Sequence, residues 1–128
     1  MRLTNRCLLP ALALACLSMP AMAAREFTPQ AGLWMISSER NGEPGRGFSL
    51  DVQGNTVFMQ VFNYAKSGAA TFHTAVGKLD DSASMTVPLL RFKGGRHFGG
   101  PAQIGVEDGT AGDVTLRFTD GLNGSVQF

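Results

Sequence analysis

Apolar residues fall at every second position over several stretches of the chain. Phe48, Leu50 and Val52 alternate with Ser49, Asp51 and Gln53, and Val114, Leu116 and Phe118 alternate with Thr115 and Arg117. A two-residue period is what a strand with one buried face requires, because successive side chains point to opposite sides of the pleat. Past residue 24 no window of helical length offers a comparable i, i+3, i+4, i+7 stripe, so the pattern predicts an all-β domain.

Turn residues divide this pattern into about eight short strands, expected near 31–37, 47–53, 56–64, 70–79, 84–92, 101–107, 112–119 and 122–128. The separators are Asn41-Gly42-Glu43-Pro44-Gly45, Gly54-Asn55, Ser67-Gly68, Asp80-Asp81, Gly94-Gly95, Asp108-Gly109 and Asp120-Gly121. Connectors this short make successive strands neighbours in an antiparallel meander, and such a meander removes its exposed edges by curling into a small closed or partly open barrel. The 56–64 strand is apolar on both faces, with Val57, Met59 and Val61 on one and Phe58, Phe62 and Tyr64 on the other. Something is therefore expected to cover the second face: a terminus, a folded loop, a second sheet or a partner.

The N-terminus changes the compartment. Arg2 and Arg6 precede the apolar run Cys7–Leu17, and Ser18-Met19-Pro20-Ala21-Met22-Ala23 ends in an A-x-A pattern. Positive, apolar, then small-x-small is the layout of a secretory signal, so residues 1–23 are expected to be removed, leaving a single domain over 24–128 that is periplasmic or extracellular. A membrane anchor would need about 20 predominantly apolar residues, and Pro10 and Pro20 interrupt this segment. Lipidation at Cys16 is an alternative, although Ala13-Leu14-Ala15 matches a lipoprotein box only loosely. Cys7 and Cys16 are the only cysteines, so the processed domain has no disulfide and depends on its core. Its charge is near neutral, which gives no reason to expect a nucleic-acid partner.

Candidate chemistry is sparse. The most distinctive segment is Arg91-Phe92-Lys93-Gly94-Gly95-Arg96-His97-Phe98-Gly99-Gly100, where basic groups surround two glycine pairs. Such a hairpin is either a solvated, charge-protected edge or a site for an anion or acidic glycan, with Arg91, Lys93, Arg96 and His97 as contacts. Trp34, Arg46 and Tyr64 complete the candidate contact set. His73 and His97 are the only histidines, His73 expected on a partly exposed strand face, and without cysteine they make no zinc site. There is no G-x-S-x-G elbow, and Asp80-Asp81 reads as a turn rather than a catalytic carboxylate pair. The expectation is a non-enzymatic domain without cofactor or metal.

Gly32-Leu33-Trp34, Gly45-Arg46-Gly47-Phe48, Gln53-Gly54-Asn55-Thr56 and Tyr64-x-x-x-Gly68 occur in an order that resembles an uncharacterised class of exported bacterial β-domains. The resemblance covers most of Pro29 to Gly68 and implies fold and location, since the class has no activity to carry over. Such domains commonly continue with a Pro and a Trp-Tyr pair, where this chain has Ala69-Ala70-Thr71-Phe72-His73. The early Gly-x-Trp also resembles lipocalin-like and avidin-like barrels, in which the tryptophan plugs one end. These observations lead to an exported β-domain that binds a glycan, a small ligand or an exported protein. Two alternatives stand beside it. One is a periplasmic inhibitor of a secreted protease or lysozyme, which would insert its mature N-terminus. The other is a small outer-membrane barrel, suggested by the alternating tail that ends in Phe128, although the chain is short for one and the domain is not expected to span a membrane.

Overall fold

The computed structural model describes residues 26–128, and the expected leader, with Cys16, lies outside the described residues. Seven antiparallel strands follow one another in space as in sequence and form one curled half-barrel. They are β1 (Gly32–Met35), β2 (Gly47–Gln53), β3 (Thr56–Tyr64), β4 (Ala70–Lys78), β5 (Ser84–Lys93), β6 (Val106–Phe118) and β7 (Gly124–Gln127). The only helical element among the described residues is a short 3-10 turn at Ser37–Glu39.

The alternation settles which face is inside. Phe48 and Leu50 from β2, Val57, Met59 and Val61 from β3, Ala75 from β4, Met85 and Leu89 from β5, and Val114, Leu116 and Phe118 from β6 form the core on the concave side. Curling the sheet lets one face bury itself without a second layer. Gly77 marks a close approach inside it: a Cβ there would lie 2.6 Å from Val87 Cγ1. The convex side keeps Ser49, Asp51, Gln60 and Arg117, but it also carries an aromatic stripe. Phe62 and Phe72 face each other across β3 and β4, and Phe72 stacks on Phe92 of β5 at 6.3 Å. Phe62 is 46% exposed and Phe72 56%. Among the described residues, the cover over Phe62 on the second face of 56–64 comes from these neighbouring rings.

The strand expected at 101–107 is loop as far as residue 105, and its last two residues, Val106 and Glu107, run straight on into the strand expected at 112–119. Asp108-Gly109 is not a turn, because β6 runs through it from Val106 to Phe118. Between Pro88 and Phe92, β5 advances four residues while β6 spends six, from Asp113 to Glu107, and the pairing slips twice. Each slip is a bulge, and the positive φ angles of Gly109 (74°) and Gly112 (111°) supply the backbone conformation there. Bulges bend and twist a strand, which is how a single sheet acquires the curvature of a half-barrel.

The curl does not close. No ladder joins β1 to β7; the strand order ends at each of them. The gap is bridged by Trp34, whose ring stacks on Phe48 at 6.4 Å and meets Phe118 edge-on at 5.4 Å, and by the Gln30 N–H donating to Gly121 O at 2.8 Å. Phe27 packs against the core and Pro29 is buried, so the segment entering β1 is held against the body.

Candidate functional site

Strand direction gathers one set of ends together: the starts of β2, β4 and β6 and the finishes of β1, β3, β5 and β7. At this end the concave face opens into a cavity of about 370 Å³. Inward-pointing positions build it. Phe48, Val61 and Leu89, all core residues, form its floor. Above them Asn63, Thr71, His73 and Arg91 supply polar groups, and Arg46, Tyr64, Ala111 and Phe128 stand around the opening.

His73 is the most informative member. The pairing Val61↔His73 places it on the buried side of β4, and it is only 9% exposed. This corrects the expectation of a partly exposed histidine. The sequence signal was ambiguous because Phe72 and Val76 gave the opposite face of β4 the larger apolar residues, and only registration against Val61 decides between the faces. Burial, and secondarily the positive charge of Arg91, hold the imidazole pKa below its ordinary value, so the ring is neutral near pH 7. Its Nδ1 is sealed in protein without a hydrogen-bond partner. A sealed, unpartnered acceptor is more readily tolerated than a sealed N–H, which favours the proton on Nε2. Nε2 then carries the ring's N–H.

The cations around the opening differ in their engagement. Arg46 is held by Glu39, its Nε donating to Oε1 at 3.0 Å and Oε2 at 3.3 Å, with a further contact from its terminal nitrogen to Oε1. These hydrogen bonds, and after them the opposite charges, lower the Glu39 pKa and raise the Arg46 pKa. Arg91 sits on the cavity wall one turn of the pleat beyond Leu89, where its charge also lowers the Asp108 pKa, after the larger effect of Lys93.

Of the sequence-derived candidates, the fold brings Arg46, Tyr64 and Arg91 to one cavity and leaves the others outside it. Trp34 lines a separate cavity of about 220 Å³ in the gap between β1 and β7, together with Phe48, Phe118 and Val126. Lys93 pairs with Asp108 at 2.6 Å. Arg96 and His97 lie in the β5–β6 loop, where Arg96 Nε donates to Gly100 O at 2.6 Å and His97 Nδ1 donates to Phe98 O at 3.0 Å. Sequence reasoning missed His73, Asn63, Thr71 and Phe128 as site residues. The first three share the inward parity of Val61 or Ala75, a signal that becomes readable once the buried face is known. No family model, curated protein or solved structure matches this chain, so what the site does rests on its own geometry.

Proposed function

We propose that this chain is an exported, non-enzymatic binding domain that holds a small amphipathic ligand, an apolar body with a carboxylate or similar acceptor group, in the mouth of the half-barrel. The carrying observation is the 370 Å³ cavity with an apolar floor and a donor-bearing wall formed by His73, Arg91, Asn63 and Thr71. That volume falls within the range of about 300–1,000 Å³ common for small-molecule sites. The neutral His73, with its proton on Nε2, offers a directional donor, and Arg91 offers the charge that an acidic head group requires.

Titration calorimetry with a panel of aliphatic and aromatic carboxylates and their matching alcohols tests the reading. Arg91→Gln is expected to weaken the acids about tenfold or more while leaving the alcohols nearly unchanged, since a hydrogen bond to a charged group contributes about 1.5–3 kcal/mol. His73→Phe should weaken both series. Acids and alcohols that bind equally, or a panel without any binder, would remove the proposal.

A protein partner is the second reading, supported by the exposed aromatic stripe of Phe62, Phe72 and Phe92. An inhibitor working through its N-terminus has little free chain to insert after residue 26, because Phe27 and Pro29 are packed. A truncation of that segment would therefore also disturb the fold. Substitution of the exposed Glu26 is the cleaner probe of inhibition.

A further inference from the structure

The loop joining β5 to β6, residues 94–105, lies at the same end of the sheet as the cavity and puts two large apolar side chains into solvent. Phe98 is fully exposed and Ile104 is 87% exposed. Solitary apolar residues on a surface are ordinary, but Phe98 is held out by a built turn. Gly100 N–H donates to His97 O at 3.0 Å, Arg96 Nε donates to Gly100 O at 2.6 Å, and the His97 ring lies against Gly100, where a Cβ would come within 2.6 Å of it. The tip therefore presents Phe98 in a set position, with His97 before it and Gly99-Gly100 after it.

Charge is distributed along the same axis. Of the eight Lys and Arg among the described residues, five (Arg46, Lys66, Arg91, Lys93 and Arg96) lie at the cavity end, against Glu39, Glu43, Glu107 and Asp108, while Arg40 lies along the β1 edge toward Leu122 and Asn123. With the Glu39–Arg46 and Lys93–Asp108 pairs set aside, Lys66, Arg91 and Arg96 remain against two carboxylates. The opposite end reverses the sign, with Asp51, Asp80, Asp81 and Asp120 against Lys78 and Arg117.

We infer that the β5–β6 loop docks the cavity end onto an anionic lipid surface, with Phe98 and Ile104 entering the interface and the surrounding cations resting among head groups. A bilayer suits this loop better than a protein does. Two apolar side chains on one loop, with glycines following Phe98 and basic groups preceding it, offer little shaped surface for a protein to grip, whereas a lipid interface needs only apolar depth and opposite charge. Nucleic acid would use the cations and have no need of two apolar side chains on the same loop. The proposal is independent of what occupies the cavity.

Co-sedimentation of the chain beginning at Ala24, whose strands and core all lie within residues 26–128, with phosphatidylcholine vesicles lacking or containing phosphatidylglycerol tests it. Partition is expected only with phosphatidylglycerol present, and it should fall as salt is raised. Phe98→Ser should reduce partition roughly tenfold or more, the loss expected for one aromatic side chain leaving an apolar setting. Arg96→Gln should reduce it roughly fivefold. Phe98 touches no core residue, so circular dichroism of Phe98→Ser should match the parent. No partition, equal partition onto neutral vesicles, or partition that Phe98→Ser leaves within about twofold overturns the proposal, and the last result would point to a charge-only polyanion partner.

Discussion

His73 shows how one side chain ties the fold to the site. Its backbone extends the β3–β4 ladder, its ring closes part of the cavity wall, and its Nδ1 is buried without a partner. Burial, aided by Arg91, depresses the folded-state pKa, while the unfolded chain keeps the ordinary value of about 6.5. The unfolded state therefore takes up a proton first as the solution is acidified. Stability associated with this residue is complete above about pH 6.5 and is lost as pH falls through the lower folded-state value. Urea midpoints measured from about pH 7.5 down to about pH 5 should fall for the parent and fall less for His73→Phe, with carboxylate titrations common to both. Identical slopes would show that the imidazole does not feel its burial. A bound carboxylate should flatten the parent's dependence, because its charge favours the protonated ring and brings the folded-state pKa back toward the unfolded value.

β6 is the element on which the architecture turns. Much of the fold was legible in the chain: the Phe48–Val52 and Val114–Phe118 alternations place β2 and the second half of β6, and Gly54-Asn55 and Ser67-Gly68 place the turns that bound β3. Asp108-Gly109 was misleading because Asp-Gly suits a two-residue turn and a bulge equally well, both needing positive φ at glycine. Only the partner strand distinguishes them, and β5 supplies paired residues on both sides of the site. The candidate site was half legible for a related reason. Arg91 and Arg46 could be flagged as charges, but the partners that give them meaning come from β3 and β4 through strand register. Gly112→Ala is expected to cost about 1–2 kcal/mol, more than a typical surface change, because its φ of 111° is closed to side chains with a Cβ. It should also weaken ligand binding, since Ala111 beside it lines the cavity. Chemical denaturation together with titration of the best carboxylate would separate the two effects; an unchanged midpoint would mean the bulge can be rebuilt without glycine.

At the scale of the whole molecule, three features share one end: the cavity, the protruding Phe98 loop and most of the basic side chains. The far end holds the acidic turns. Asp80 there accepts from Ser82 N–H, Ser82 Oγ and Ser84 N–H, and Asp120 accepts from Leu122 N–H and Asn123 N–H. Those hydrogen bonds lower both aspartate pKa values and keep the tight turns closed. One end is thus built for rigidity and the other for contact. The unjoined margin between β1 and β7 sets how this body loosens. A ring of strands has no loose border and must be ruptured somewhere, whereas a ribbon can fray inward from both sides. Amide deuteration should therefore proceed in a gradient, with β1 and β7 exchanging first and the β3–β4 ladder last, and Trp34, lying across the margin like a latch, should set the pace on both sides.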